Sequence, residues 1–132
     1  MMKPKEIGLS TRKRLEFIDI TSQVNEFVEN SGIEDGAILI FTKHTTSGLT
    51  INENEPGLIS DMEDLLKKIV PKDGYEHDRI DNNADSHLRS LLLEHSLVLP
   101  VSGKKVGLGT WQRVFFVELD GPRGRNILLK II

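Results

Sequence analysis

The run "GAILIFT" at residues 36–42 constrains the fold most strongly, because it is apolar, rich in β-branched side chains and too short for a typical helix. A strand of this composition is covered on both faces, which predicts a position in the middle of a sheet. A second run, "TWQRVFFVELD" at residues 110–120, alternates two largely apolar sets of side chains and predicts a long strand. These two runs predict a core built around β-sheet.

Helical spacing and capping residues predict three helices between the strands. Thr21 is expected to cap a short helix that ends at Gly32. The apolar positions of residues 58–69 recur at helical spacing, and Pro71 ends that segment. A third helix is expected from about residue 84 to 94, with an inward apolar face and an asparagine cap. Its expected inward residues are Leu88, Leu91 and Leu92, and its expected cap is Asn82 or Asn83.

Further strands complete the predicted architecture. Residues 7–20 suggest two strands or a hairpin around the basic stretch "TRKR", while residues 97–101 and 126–132 each suggest one strand. Strands in series with a few helices predict an α+β class with a mostly antiparallel sheet. At 132 residues the chain is expected to form a single domain, residues 1–132.

Composition excludes several classes of function. No apolar run approaches the roughly 18 residues that cross a bilayer, and the amino-terminal residues lack the apolar segment of a signal peptide. We therefore expect a cytoplasmic protein that does not associate with membranes. A net charge of -3 does not favour nucleic-acid binding. With no cysteine in the chain, a metal ion would need ligands from His, Asp, Glu or carbonyl oxygen.

Three histidines lie at the ends of predicted elements, where a rigid scaffold presents side chains to a cleft. His44 follows the central strand, His77 lies in the polar segment 73–83, and His87 lies in the first turn of the third helix. Three imidazoles with an open fourth position are typical of a catalytic zinc site. The alternative is that each is a surface histidine or a hydrogen-bonded core histidine. Sequence spacing alone does not decide between them.

Carboxylates near these histidines are candidates for orienting a ring or binding a cation. Glu53 follows the strand after "HTTSG", and Asp81 precedes His87 by six positions. Asp85 is a weaker candidate, because an acidic residue in the first turn of a helix also stabilises the helix dipole. Glu53 and Asp81 are therefore preferred.

The turn "DGPRGR" at residues 120–125 carries Arg123 and Arg125, and two guanidinium groups on one turn suit a phosphate. The hydroxyl-rich segment "HTTSG" can contribute to the same anion site through Thr45, Thr46 and Ser47. An equally simple alternative is a solvated hairpin tip whose arginines point apart. The single tryptophan, Trp111, is expected in the core.

Four stretches resemble the YjbQ family. They are "HTTSGLTINEN" at 44–54, "YEH" at 75–77, "DNNADSH" at 81–87 and "LPVSGKKVGLGTWQRVFFVELDGPR" at 99–123. The resemblance covers nearly the whole chain. It implies a pseudobarrel, a mixed sheet folded on itself with outer helices, assembled as a homotrimer. It also implies a divalent metal, zinc or magnesium, on the family's histidines, which correspond to His44, His77 and His87.

The same resemblance implies a thiamine-phosphate synthase-like enzyme that joins a pyrimidine methyl diphosphate to a thiazole phosphate, releasing pyrophosphate. Catalytic roles would fall to Asn52, Glu53 and Asp81, and the small phosphorylated substrate would be bound by Thr45, Thr46, Ser47, Arg123 and Arg125. Diphosphate chemistry usually uses Mg²⁺ on carboxylates, whereas imidazoles favour zinc, so a secondary synthase activity beside another main role is an open alternative. The alternatives are a metal-dependent hydrolase or lyase of a small phosphorylated metabolite, and a non-enzymatic trimeric protein that binds a metal or metabolite.

Overall fold

A computed structural model describes residues 3–132 of the chain. Eight strands, three α-helices and one short 3₁₀ helix form these residues. The strands are β1 (Lys5–Ser10), β2 (Glu16–Asp19), β3 (Asp35–Phe41), β4 (Ser47–Asn52), β5 (Ser96–Ser102), β6 (Lys105–Val106), β7 (Arg113–Glu118) and β8 (Gly124–Ile131). The helices are α1 (Thr21–Ser31), α2 (Pro56–Ile69) and α3 (Ala84–Leu91), and the 3₁₀ helix is Glu76–Arg79.

The strands form two sheets in which every neighbouring pair is antiparallel. One sheet has the order β1-β8-β3-β5-β6 and the other has the order β2-β7-β4. The predicted α+β class, a mostly antiparallel sheet folded on itself into a pseudobarrel with outer helices, is confirmed. Strand β3 has a neighbour on each side, as its apolar run predicts. Strands β1 and β2 lie in different sheets, so the hairpin alternative for residues 7–20 is wrong.

Strand β7 separates two apolar clusters, because successive side chains of a strand point to opposite faces. Val114 and Phe116 belong to the larger cluster, and Phe115 and Val117 belong to the smaller one. All four side chains are fully buried. The predicted alternation of this strand is thus confirmed, and both sets of side chains are in the core.

Helix α1 covers the larger cluster with an apolar face. It ends at Gly32, which has the left-handed conformation (φ 71°) that glycine adopts without a Cβ clash. Thr21 is the first residue of the helix rather than its cap. The Thr21 hydroxyl instead accepts a hydrogen bond from the Val114 backbone N–H at 2.8 Å, which ties α1 to β7.

Helix α3 reverses the predicted orientation. Leu91 and Leu92 are 74% and 52% exposed, and the buried face is mostly polar. The buried residues are Ala84, Asp85, Ser86, Arg89 and Ser90. Asn83 precedes the helix, but its side chain makes no capping bond and donates instead to Asp120 Oδ2 at 2.8 Å. The helix also ends at Leu91, earlier than expected.

Hydrogen bonds explain why the polar face of α3 points inward. Ser86 Oγ donates to the Leu119 carbonyl at 2.5 Å, and Ser90 Oγ donates to the Ser47 carbonyl at 2.6 Å. Arg89 Nη2 donates to the Val70 carbonyl at 2.8 Å. Each of these groups satisfies a carbonyl that would otherwise be buried without a partner, at a cost in stability. The helix is therefore fixed by directional bonds as well as by packing.

Two other apolar groups are more exposed than their sequence pattern indicates. On α2, only Leu66 is buried, whereas Leu65 and Ile69 are more than half exposed. Trp111 is 71% exposed, so the prediction that it belongs to the core is wrong. It lies in the segment between β6 and β7. Within residues 3–132, no helix combines the length and the hydropathy needed to span a membrane.

Candidate functional site

A cavity of about 680 Å³ lies where three distant parts of the chain meet: the segment after β3, the start of α3, and the turn between β7 and β8. It is lined by Lys43, His44, Thr45, Thr46, Asp81, Asn83, His87, Asp120, Arg123 and Arg125. Most of the residues singled out from the sequence are therefore brought together. Strands β3, β7 and β8 position two of the three parts, and the polar anchoring of α3 positions the third.

Arg125 forms the floor of this cavity through a buried ion pair. Its Nε donates to Glu118 Oε1 at 2.8 Å and its Nη2 contacts Glu118 Oε2 at 2.5 Å. Nη2 also donates to the Thr46 hydroxyl at 2.8 Å. Burial raises the pKa of Glu118, but the hydrogen bonds from Arg125, the Asp120 backbone and Thr11 outweigh it, and the net pKa is lowered. Glu118 is therefore ionised and keeps Arg125 in place.

Both arginines of the turn keep one terminal nitrogen free. Arg123 uses Nε and Nη2 to bind the carbonyl and the carboxylate of Asp120, at 2.9 and 3.2 Å. Among residues 3–132, Nη1 of Arg123 and Nη1 of Arg125 have no hydrogen-bond partner. Both residues line the same cavity, so the alternative in which they point apart on a solvated tip is not what the structure shows.

His44 has a defined tautomer in this site. Its Nε2 accepts a hydrogen bond from the backbone N–H of Asn126 at 3.1 Å. Burial, together with the charge of Arg125, lowers the pKa of His44, so the ring is neutral near neutral pH. A neutral imidazole whose Nε2 accepts carries its proton on Nδ1. His44 is therefore an Nδ1–H donor at the wall of the cavity.

His77 and His87 are in direct contact, edge to face, with ring centroids 4.9 Å apart and an interplanar angle of 86°. The buried Nε2 atom of His77 has no hydrogen-bond partner in the part of the chain that the structure describes. Its distance to Asp81 Oδ2 is 3.8 Å, which is too long for a hydrogen bond. His87 lines the main cavity, whereas His77 lines a neighbouring cleft that His87 also borders.

The arrangement does not present a preformed three-imidazole metal site. Residues 3–132 contain no group of three or more His, Asp or Glu side chains placed to hold a metal ion. The Nε2 lone pair of His44 is used by Asn126, and its Nδ1 carries the proton. A metal ligand needs a free lone pair, so His44 would have to give up this bond. The unpartnered Nε2 of His77 is the atom best suited to a cation.

Three residues that the sequence grouped with the histidines lie outside the cavity. Ser47 is fully buried, and its hydroxyl shares a 2.8 Å hydrogen bond with the hydroxyl of Thr42. Asn52 and Glu53 lie at the opposite end of β4, about 17 Å from Ser47 at the usual rise of an extended strand. Glu53 lines a separate cleft with Trp111. The structure therefore places these three residues away from the cavity that His44 and His87 line, because residues that are close in sequence move apart along an extended strand.

Three further residues of the cavity were not predicted as ligand-binding residues: Lys43, Asn83 and Asp120. Each is adjacent to a recognised motif, but Asn83 was expected to be a helix cap and Asp120 only part of a turn. The side-chain oxygen of Asn83 is buried without a hydrogen-bond partner. No sequence feature indicates this unpaired oxygen, because it arises only when the Asn83 amide nitrogen donates to Asp120.

Comparison with known proteins identifies the family. The family model described as "UPF0047 protein YjbQ-like" matches residues 5–132. A UPF0047 protein of Archaeoglobus fulgidus is 50% identical over 128 residues, covering 96% of this chain and 99% of the relative. The UPF0047 protein YugU of Bacillus subtilis is 39% identical over 130 residues, covering 97% and 98%.

Solved structures agree with these sequence relatives. A YbjQ-like protein of unknown function from Sulfolobus solfataricus has a TM-score of 0.95 and 41% identity, covering 98% of this chain and 95% of its own. An uncharacterised conserved protein of the yjbq/upf0047 family from Clostridium acetobutylicum has a TM-score of 0.93 and 40% identity, covering 97% and 99%.

These findings correct one expectation and confirm another. The expected thiamine-phosphate synthase-like activity is wrong, because these relatives are described only as UPF0047, uncharacterised or of unknown function, and none of them is described with that activity. The resemblance to the YjbQ family is confirmed by the family match and by high identity over nearly the whole length. The chain therefore belongs to the YjbQ-like, UPF0047 protein family.

Proposed function

We propose that the main cavity binds a small phosphorylated metabolite. The observation that carries the proposal is that three residues lining this one cavity each have an N–H donor without a hydrogen-bond partner within residues 3–132: Nη1 of Arg123, Nη1 of Arg125 and Nδ1 of His44. Guanidinium groups bind phosphate oxygens with charge-assisted hydrogen bonds, which are about twice as strong as neutral ones. The salt bridge to Glu118 holds Arg125 in position before the ligand arrives, so little freedom is lost on binding.

The same cavity also offers acceptors, which restricts the rest of the ligand. Asp81 and Asp120 line it, and the side-chain oxygen of Asn83 is buried without a partner. A bare anion would leave this Asn83 acceptor unmet, at a cost of about 1–3 kcal/mol. A phosphate ester that carries a hydroxyl or amino group would supply the missing donor. The proposed ligand is therefore a phosphate monoester of a hydroxylated or aminated compound.

Calorimetric titration with inorganic phosphate and with glycerol phosphate tests the proposal. In Arg123→Ala, the loss of one charge-assisted donor should weaken both affinities by about 1.5–3 kcal/mol, roughly ten- to a hundredfold. The matched control is Arg79→Ala, because Arg79 is exposed and makes no side-chain hydrogen bond or ion pair within residues 3–132. That control should bind like the wild type.

The proposal is refuted if neither phosphate compound binds, or if both arginine variants lose affinity equally. Equal loss would mean that bulk positive charge, rather than the geometry of the cavity, attracts the anion. Titration with acetate at the same ionic strength adds a test of selectivity, and a planar carboxylate should bind more weakly than the tetrahedral phosphate. Acetate binding as tight as phosphate binding would also refute the proposed ligand class.

A divalent metal, zinc or magnesium, stays a prediction, and so does enzymatic turnover. The buried, unpartnered Nε2 of His77, with His87 in contact and Asp81 nearby, supports a metal near these residues. Metal content of the purified protein should be measured together with that of His77→Ala. Stoichiometric metal that disappears in the variant would support the prediction, and metal-free wild-type protein after dialysis against zinc would count against it.

A homotrimer belongs to the same proposal. Exposed apolar side chains on α2 and α3 support an interface between copies, since such residues are costly to leave in water. They are Leu65, Ile69, Leu91 and Leu92. Light scattering coupled to gel filtration measures the assembly, and Leu91→Glu should shift a trimer toward the monomer. A cytoplasmic location likewise stays a prediction.

A further inference from the structure

A second cleft, of about 430 Å³, adjoins the main cavity. It is formed by the 3₁₀ helix and the first turns of α3, and its walls include Tyr75, His77, Ala84, His87 and Leu88. Residues 84, 87 and 88 are three and four positions apart, so their side chains share one face of α3. Apart from Glu76, the side chains of this cleft are aromatic, aliphatic or imidazole.

The two cavities share one lining residue, His87. His87 lines both of them, whereas the anion-binding arginines line only the first. The rings of His77 and His87, which are in edge-to-face contact, both line the second cleft. The shared residue makes the two spaces immediate neighbours on either side of the His87 ring.

The walls of the second cleft are held in place independently of any ligand. The Tyr75 hydroxyl donates to the Pro71 carbonyl at 2.7 Å, which leaves its ring rather than its hydroxyl to contact a bound group. The Tyr75 N–H donates to Asp78 Oδ2, and Asp78 Oδ1 accepts from the Ala84 N–H. Asp78 thus links the 3₁₀ helix to α3. Preorganised walls of this kind reduce the ordering cost of binding.

We infer that the ligand carries a planar aromatic or apolar group that occupies this second cleft while its phosphate is bound by the arginines. The inference rests on the proposed function, since the phosphate site fixes one end of the molecule. Aromatic groups favour edge-to-face contacts with rings such as His77 and Tyr75, and they gain free energy by leaving water. The substrate class is therefore a phosphate monoester of a hydroxylated or aminated compound that also carries an aromatic or similarly apolar group.

A pair of probes with the same charged end separates the two cavities. Methyl phosphate and phenyl phosphate present the same monoester, and only phenyl phosphate has a ring for the second cleft. We expect phenyl phosphate to bind the wild type at least about tenfold more tightly, the size of a modest apolar contact in a pocket. Leu88→Ala should reduce this affinity ratio toward one, because it removes apolar wall from the second cleft.

The control is Val98→Ala, which removes methyl groups from a side chain of β5 that is 58% exposed and lines neither cavity. It should keep the wild-type ratio. Nuclear Overhauser contacts between the phenyl protons and the Leu88 methyl groups give a second readout that does not depend on affinity.

The outcomes distinguish the inference from the proposed function. If methyl and phenyl phosphate bind equally, and both affinities fall in Arg123→Ala, the phosphate site stands and the second cleft is overturned as a subsite. If neither probe binds, both are overturned. A ratio that is high in the wild type but unchanged in Leu88→Ala, with no Overhauser contact, also overturns the inference.

Discussion

Helices α1 and α3 are both packed against sheet, yet they are attached by different means. Helix α1 buries Val24, Phe27 and Val28 against the larger apolar cluster. Helix α3 buries a charged and hydroxylated face, and Leu91 and Leu92 at its carboxyl end are exposed to solvent. Apolar contacts depend weakly on direction, whereas hydrogen bonds require defined distances and angles. The cavity residues lie beside the helix whose position is specified by directional bonds.

The centre of the α3 attachment is Asp85, which is fully buried. Arg14 binds it through two bonds at 2.7 and 2.9 Å, and Arg89 Nη1 lies 2.9 Å from Oδ2. Lys72 is 3.8 Å from its other oxygen. Three cations around one carboxylate compensate for its loss of hydration. Asn83 and His87 lie two residues before and two residues after Asp85, so anchoring Asp85 also positions them.

Removal of Asp85 should give the largest effect. Asp85→Ala leaves Arg14 and the buried Arg89 without their carboxylate, so we expect a loss of about 3–5 kcal/mol in the free energy of unfolding. Urea denaturation measures it. The control is Asp64→Ala, at an exposed position of α2, which should change stability by less than about 0.5 kcal/mol. A loss at Asp85 no larger than in this control would show that the ion cluster does not anchor α3.

A substitution that creates a cavity beneath α1 should cause the next largest loss of stability. Val24→Ala removes two fully buried methyl groups, and we expect a loss of about 2 kcal/mol in the free energy of unfolding. Val98→Ala, at a position that is 58% exposed, is the matched control and should be nearly neutral. Phosphate affinity should be unchanged in Val24→Ala, since α1 lines neither cavity. Weakened phosphate binding would contradict the separation between the two regions.

A single directional bond of α3 should contribute less. Ser90→Ala removes the donor to the Ser47 carbonyl, and we expect a loss of about 1 kcal/mol, measured by thermal or urea denaturation. Ser60→Ala on the exposed side of α2 is the matched control and should have almost no effect. If Ser90→Ala is as neutral as Ser60→Ala, hydrogen bonding to β4 does not contribute to the position of α3.

The smallest expected effect is a change in the pH dependence of stability. Burial raises the pKa of Asp85, but hydrogen bonds and charge from Arg14, with further charge from Arg89 and Lys72, lower it overall. A lowered folded-state pKa stabilises the protein above the unfolded value of about 3.9, and this contribution is lost as the pH falls through the folded value. Stability measured from roughly pH 6 to pH 3 should therefore fall less steeply in Asp85→Asn than in Val24→Ala. Equal slopes would contradict the pKa assignment.

The local sequence pattern predicted the strands well, because a strand that is buried on both faces has a continuous run of apolar residues. The runs that became β3 and β7 are examples, as is the termination of α1 at Gly32. The pattern-based predictions were wrong where they had to decide which face of a helix is buried. Leu88, Leu91 and Leu92 recur at helical spacing, but periodicity does not say whether the face that they predict meets the core or solvent. Trp111 was misplaced for a different reason, because the general tendency of tryptophan to be buried does not determine the environment of one particular residue.

For the candidate site, sequence determined the inventory: imidazoles at element ends, two arginines on one turn and a hydroxyl-rich segment after a buried strand. Chain topology decided which of them meet. Because strands β7 and β8 flank the turn and α3 is bound to β4, Arg123, Arg125 and His87 converge with His44, while Asn52 and Glu53 are carried to the far end of β4. Proximity in space depends on contacts between distant segments, and no local sequence pattern encodes those distances.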